Sequence, residues 1–462
     1  MLKKLRILLA ALFFVWITLL LAGIGHQWWG WMAELQFLPS CLALNFVVII
    51  GILLLTLLFG RIYCSVICPM GVFQDIIIWI RKKTAGKKFK FNKEHKWVRY
   101  PVLVLTIAAI AAGIQVIVAL IGPYSAYGRI VRSIVGIGSG DSLVPVLLIV
   151  AVITFIAIFL CAWLWGRAYC NTVCPVGSFL GLISRFSLFH IKIDEDKCVS
   201  CGKCGRECKS SCIDTKTRTI DYSRCVDCFD CIGSCKTGAI SFGFGPGKAA
   251  AASEDTDKGR RQFMLTTALL GGSAIAAKAQ EAHLDGGFAD VLPKSNPQRT
   301  GRLVPFGAGS VDEFYSRCTA CQLCVSNCPN HVLRPSTDLK HLLQPEMGYE
   351  NGWCRPECTI CSEICPADAI KPVTREQKVA THIGTATVNY DLCISANGQD
   401  SCGNCSKRCP TGAVRMVDDQ NTGRKIPVVS EEICIGCGAC EFLCPSRPIS
   451  AITVNGLSVH HE

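Results

Sequence analysis

Hydrophobic positions follow two different patterns along this chain. In its first part four apolar stretches, at about 7–24, 41–59, 102–121 and 143–165, each approach the roughly 20 residues that an α-helix needs to cross about 30 Å of hydrocarbon. They are nearly free of charge and lack the polar face of an amphipathic soluble helix. The pattern therefore predicts a four-helix transmembrane domain over 1–190. Beyond it the sequence turns polar and cysteine-rich over 191–245, and again over 311–462. There, short helical turns lead into strands, as at Lys236-Thr237-Gly238-Ala239-Ile240 and Pro410-Thr411-Gly412-Ala413-Val414, which predicts small α+β units. Between them lie a small-residue linker (246–259) with too little apolar surface to fold alone, a second charged-then-apolar segment (260–282) and a further linker (283–310).

Charge orients this arrangement. Lys plus Arg (47) exceed Asp plus Glu (35) by twelve, and the excess sits beside the apolar stretches. Lys3, Lys4 and Arg6 precede the first, and Arg81, Lys82, Lys83, Lys87, Lys88, Lys90, Lys93, Lys96 and Arg99 separate the second from the third; the other two loops carry only Arg129 and Arg132. Lys and Arg near span ends stay on the cytoplasmic side, so both ends of the four-helix domain are expected there, with the lipid bilayer as partner and no nucleic acid. Trp28, Trp29 and Trp31 read as an interfacial aromatic belt. In 260–282, Arg260 and Arg261 precede a short apolar stretch and a run of alanines, the form of a twin-arginine export signal or anchor placed inside the chain.

Cysteine changes the picture most. The chain has 31 in 462 residues, too many for an ordinary enzyme, while its length excludes a small disulfide-stapled scaffold. Four segments read CxxCxxCxxxC: Cys198, Cys201, Cys204, Cys208; Cys225, Cys228, Cys231, Cys235; Cys318, Cys321, Cys324, Cys328; and Cys434, Cys437, Cys440, Cys444. Two variants stretch the first gap, at Cys354, Cys358, Cys361, Cys365 and at Cys393, Cys402, Cys405, Cys409. Three thiolates at this spacing wrap one cubane while the fourth reaches a neighbouring cluster, so the pattern predicts six [4Fe-4S] clusters in a two-cluster and a four-cluster ferredoxin-like unit. Zinc sites favour separated CxxC pairs, often with histidine, and an odd, closely spaced set suits disulfides poorly. In 191–245 the crossed assignment gives Cys198, Cys201, Cys204 and Cys235 to one cluster and Cys225, Cys228, Cys231 and Cys208 to the other, with Cys212 as an alternative to Cys208. Lys209 and Lys236 stand where proline is usual. In the last unit all four motifs end in Cys-Pro, and spacing does not fix which motif pairs with which.

Two further pairs, Cys64 with Cys68 and Cys170 with Cys174, lie in a duplicated GRxYCxxxCPxG just after the second and fourth apolar stretches. The repeat makes the membrane domain a duplicated two-span hairpin with both pairs facing the cytoplasm. Two readings stand side by side: one shared metal site, or reduced structural pairs that pack the loop.

With these motifs quoted, residues up to 245 resemble the NapH family, membrane ferredoxin-type subunits with four spans, two CxxxCP motifs and cytoplasmic cluster motifs. From Arg260 onward the chain resembles the NapG family, exported polyferredoxins with a twin-arginine signal. The resemblance covers nearly the whole chain and implies a natural fusion of the two, a quinol dehydrogenase component that takes menaquinol or ubiquinol as substrate and feeds a periplasmic reductase, nitrate reductase-like or related, or a cytochrome c.

Absence of CxxCH excludes covalent haem, and no paired span histidines suit haem b, so an electron wire across the membrane is missing. Quinol oxidation near the outer face would remove the need for one, with His26, Gln27, Glu34, Tyr124, Tyr127, Arg129 and Arg132 as candidates for the proton-accepting slot. Partner subunits would be the other solution. Two different functions also fit the motifs: an assembly or maintenance donor for a periplasmic metalloenzyme, and a polyferredoxin that stays wholly cytoplasmic.

Overall fold

A computed structural model describes the chain except residues 1, 85–88, 90, 92–93, 113–114, 140–144, 246–283, 286–288, 291, 400, 421–422 and 462. The twin-arginine segment lies outside the described residues.

The N-terminal domain is helical: α1 Leu2–Leu21, α2 His26–Trp29, α3 Trp31–Glu34, α4 Phe37–Leu42, α5 Phe46–Phe59, α6 Tyr63–Val66, α7 Pro69–Thr84, α8 Lys96–Ala111, α9 Gln115–Ile121, α10 Pro123–Ser139, α11 Pro145–Trp165, α12 Ala168–Thr172 and α13 Pro175–Ser184. Among the described residues, only α1 and α11 are long and apolar enough to cross a membrane. At 1.5 Å per residue each measures about 30 Å.

The other two apolar stretches form shorter helices than the sequence suggests. Within 41–59 the Asn45 side chain accepts the Val48 N–H at 3.3 Å and starts α5 late, and Gly60, at φ 73°, ends it after 14 residues. The 102–121 stretch is divided between α8 and the seven-residue α9. Leu8, Ile50, Leu54, Ile107, Ile153 and Leu160 on the outer faces of α1, α5, α8 and α11 are all exposed, an apolar belt. Inward, Ile17, Leu20, Met32, Val118 and Ile158 form one core with the four motif cysteines.

The 191–245 unit pairs β1 (Phe189–Ile193) with β4 (Ile240–Phe244) and β2 (Ile213–Asp214) with β3 (Thr219–Ile220), all antiparallel. β5 (Leu284–Asp285) pairs antiparallel with β6 (Ala289–Asp290). In the C-terminal unit β7 (Leu333–Pro335) pairs with β8 (Pro345–Met347), β9 (His382–Val388) with β12 (Ile452–His461), and β10 (Val414–Asp418) with β11 (Lys425–Val429). Ile383, Val454 and Tyr349 fill its core, and the Tyr349 hydroxyl donates to the Gly436 carbonyl at 2.6 Å.

The two cysteine-rich units meet opposite ends of α1. At its start Lys3 pairs with Asp230 at 2.9 Å, and at its end the Leu20 carbonyl accepts from Asn327 Nδ2 at 3.1 Å. Further contacts separate the same way. Lys82 pairs with Glu207 at 2.8 Å on the first side, and on the second Gln115 donates to the Ser316 carbonyl.

Candidate iron–sulfur sites

In the C-terminal unit the fold brings each cysteine triplet to a distant fourth cysteine. One cavity is lined by Cys354, Cys358, Cys361 and Cys328, with Phe306 and Met347 among its apolar walls. A second is lined by Cys434, Cys437, Cys440 and Cys409. Complementary sets appear in the electrostatics. Burial, then Cys365, pushes the Cys321 thiol up to about 12, and burial with Cys402, Cys393 and Cys444 nearby pushes Cys405 up to about 11. The first motif is therefore paired with the second, and the third with the fourth, each with its last cysteine crossed. Spacing had left that pairing open.

These sets fit cubanes. Among the described residues no three His, Cys, Asp or Glu side chains converge as tightly as a single ion requires. Burial and neighbouring sulfurs make Cys354, Cys361, Cys437 and Cys440 harder to ionise, so such thiols around an apolar hollow need positive charge between the sulfurs to become thiolates. Lys378 supplies some from outside: it is buried and donates to the Arg355 carbonyl at 2.7 Å and to the Cys358 carbonyl, beside the second triplet.

In 191–245, Cys225, Cys231, Cys208 and Cys212 share one core, while Cys228 is buried in the adjoining helical core. Cys208 and Cys212 sulfurs lie 3.5 Å apart, and the hydrogen bond between them lowers the Cys208 thiol and raises that of Cys212. Cys204 neighbours Cys198 and Cys201, whereas the Cys235 sulfur lies 3.4 Å from the Thr237 hydroxyl. Lys209, in place of the usual proline, is buried and pairs with Asp75 at 2.9 Å and Asp230 at 3.3 Å.

The membrane-domain pairs come together: Cys64, Cys68, Cys170 and Cys174 are buried in one helical core. Each position of the repeated motif has a geometric reason. Gly60 and Gly166 adopt φ 73° and 67°, and a Cβ there would lie 2.5 Å from the Asp227 carboxylate and 2.3 Å from the Lys209 carbonyl. Arg61 Nη2 donates to the Cys170 carbonyl at 3.0 Å and Arg167 Nη1 to the Cys64 carbonyl at 2.8 Å, so each half's arginine holds the other half's cysteine loop. The Tyr63 hydroxyl accepts the Phe37 N–H at 3.0 Å, and the Tyr169 hydroxyl donates to the Ile121 carbonyl at 2.7 Å. Pro69 and Pro175 start α7 and α13, where a missing N–H costs nothing. A Cβ at Gly177 would lie 2.1 Å from the Cys170 carbonyl. Gly177→Ala is accordingly expected to cost about 1–3 kcal/mol by overpacking, read as a lowered denaturation midpoint of the detergent-solubilised protein; an unchanged midpoint would contradict this packing.

Of the seven quinol-site candidates, Tyr124, Tyr127 and Arg129 lie buried on α10, Arg132 on the same helix, and His26, Gln27 and Glu34 on α2 and α3. Tyr127 hydrogen-bonds Thr18 at 2.7 Å and Arg129 holds the Ala119 and Leu120 carbonyls, which are structural tasks. Tyr124 keeps a buried hydroxyl without a partner. Burial, then the charge of Asp368, raises the Glu34 carboxyl. The seven do not form one slot. Asp75, which joins Arg6, Arg167 and Lys209, was not singled out from sequence, since a lone carboxylate in an apolar helix carries no motif.

Cysteine quartets in small α+β units define a ferredoxin-type iron–sulfur electron-transfer protein. Comparison places it more narrowly. A family described as "4Fe-4S binding domain" matches residues 43–88 and 147–194, and one described as "4Fe-4S dicluster domain" matches residues 400–447. The chain is 33% identical to the methylamine utilization ferredoxin-type protein MauN of Paracoccus denitrificans over 165 residues, 35% of this chain and 53% of that one, so it spans about half that relative's length. It is 27% identical to the methylamine utilization ferredoxin-type protein MauM of Methylophilus methylotrophus over 206 residues (43% of this chain, 87% of that one). It is 28% identical to the ferredoxin-type protein NapF of Escherichia coli over 159 residues (34% and 87%). The protein is thus related to NapF and the Mau ferredoxin-type proteins.

Proposed function

We propose that this protein is a membrane-bound quinol dehydrogenase component, a fusion of NapH-type and NapG-type parts in a bacterial cytoplasmic membrane. In this reading the N-terminal domain passes the bilayer four times, 191–245 is cytoplasmic and 283–462 periplasmic. It moves electrons from menaquinol or ubiquinol to a periplasmic reductase, nitrate reductase-like or related, or to a cytochrome c. One observation carries the reading: the two cysteine-rich units attach to opposite ends of α1, which is as long as a bilayer's hydrocarbon is thick. The exposed apolar belt and the basic residues at the 191–245 end support it.

Bound [4Fe-4S] clusters would supply one-electron carriers at the six motifs. The chain's own part is to hold them in apolar walls that exclude water and to set the charge around them, as Lys378 does. Glu34, near Asp368 of the C-terminal unit, is the best-placed carboxylate to take a quinol proton at the outer side.

Two measurements test this reading. Anaerobically purified protein should hold about twenty-four irons in the six motifs and be reduced by added menaquinol or ubiquinol. Protease added to intact spheroplasts should cut 283–462 and spare 191–245. Failure of quinol to reduce the protein, or a fully protected tail, would overturn it.

A further inference from the structure

The four C-terminal quartets do not follow one another in the order of their motifs. The first lies against the helical domain: a Cβ at Gly128 would lie 2.3 Å from the Cys321 carbonyl, and one at Gly23 2.6 Å from the Ser326 carbonyl. Crossed cysteines make the second its neighbour, since Cys365 belongs to the first quartet and Cys328 to the second. From the second the path runs to the fourth, where the Cys354 N–H donates to the Cys437 carbonyl at 3.0 Å. Cys409 and Cys444 then cross between the fourth and the third. The order is first, second, fourth, third, and the third quartet (Cys393, Cys402, Cys405 and Cys444) stands at the far end.

That end is open. Cys402 and Cys405 are half-buried, whereas Cys434, Cys437 and Cys440 of the fourth quartet are buried. Beside Cys393, Leu392 is 43% exposed, and the Ser446 hydroxyl donates to the Leu392 carbonyl at 2.8 Å, bringing in a loop whose Ile449 is 40% exposed. A carrier at the end of a chain passes its electron only to another molecule, and a small apolar surface with a polar rim suits a short-lived redox contact.

Charge gives the partner's chemistry. Arg424 lies over the loop between Cys393 and Cys402, with Nη1 donating to the Ala396 carbonyl at 3.0 Å, and the Lys425 carbonyl accepts from the Ser395 hydroxyl at 2.6 Å. Arg447 Nη1 donates to the Cys444 carbonyl at 2.8 Å. All three side chains are exposed, as are Lys407 and Arg408 within the motif. Segments 391–425 and 444–449 together hold six Lys or Arg against four Asp, while 426–443, which carries the first three ligands of the fourth quartet, holds three Glu and no cation. Positive charge thus gathers at the third quartet, and such a surface steers a negatively charged protein into contact.

We propose that the third quartet is the electron exit of the C-terminal unit, and that the basic surface around it docks an electron-accepting protein with an acidic surface. One electron passes from the reduced third quartet to the acceptor's oxidised centre; no bond forms or breaks and no proton moves. The proposal rests on the iron–sulfur reading of the four quartets but not on quinol as the donor.

The test uses the full chain in detergent, reduced anaerobically with dithionite, freed of excess reductant and mixed with an acidic soluble cytochrome c. Transfer should slow as salt is raised, and Arg424→Glu/Lys425→Glu should slow it by about tenfold or more at low ionic strength, with iron content and cluster spectra unchanged. A basic cytochrome c should respond oppositely and react faster with the double variant. Lys340→Glu, exposed next to His341, which stacks on Tyr315 at the first quartet, should keep the parent rate. Cys402→Ser should stop transfer while the first and second quartets still take up electrons. Transfer indifferent to salt and to the double variant, or unimpaired in Cys402→Ser, would overturn the proposal. Should the double variant lose iron, Arg408→Glu alone should still slow the acidic cytochrome's reaction and the parent's salt dependence should persist; absence of both would overturn it equally. An iron-free parent would sink the iron–sulfur reading as well, whereas failure of quinol to reduce an iron-complete chain would sink only the quinol reading.

Discussion

Asp75→Asn should destabilise the membrane domain by about 3–5 kcal/mol, the cost of breaking a buried ion pair by removing one partner. Asp75 receives Arg6 at 2.9 Å, Arg167 at 2.8 Å and Lys209 at 2.9 Å, and these three cations are 7%, 0% and 6% exposed. Asparagine keeps the shape and removes the charge, so Arg6 and Arg167 lose their carboxylate while Lys209 retains only Asp230. The three cations come from the chain's start, the second GRxYC motif and the first cluster loop, so a single substitution should loosen all three. The measurement is chemical denaturation in detergent together with protease sensitivity of 191–245. A stability within about 0.5 kcal/mol of the parent, the range of an inconsequential surface change, would refute the hub.

Cys365→Ser should remove one whole cluster, about four irons, and it should be the one held by Cys318, Cys321 and Cys324. Crossed pairing makes this sharp: Cys321→Ser should erase the same paramagnetic species as Cys365→Ser, while Cys358→Ser erases a different one together with Cys328→Ser. Were each motif to hold its own cluster, Cys365→Ser would instead match Cys358→Ser. The site is deeply packed around Phe314, Tyr315 and Ile370, so loss of the cluster should also lower the unfolding temperature of the C-terminal unit.

Much of this chemistry was legible in the linear chain because its determinants are local. Three thiols within seven residues wrap one cluster face whatever the rest of the chain does, so Cys434, Cys437 and Cys440 declare themselves. Apolar runs such as 145–165 likewise announce long helices, since every residue of such a helix meets hydrocarbon or core. The four-span count was less secure: a capping asparagine at 45 and a left-handed glycine at 60 shortened a helix that hydropathy alone had drawn longer.

What only the tertiary structure decided is long-range. Cys365 joins Cys321 and Cys444 joins Cys405 through chain reversals, which no spacing encodes. The pairs at 64/68 and 170/174 left open whether they share one site or pack apart; packing of the two repeats buried them together, with each arginine clamped on the opposite repeat. Asp75 gained its meaning the same way. A residue's chemical type is written in the sequence, but the partners that set its charge and burial arrive from elsewhere in the chain, and only the folded packing brings them together.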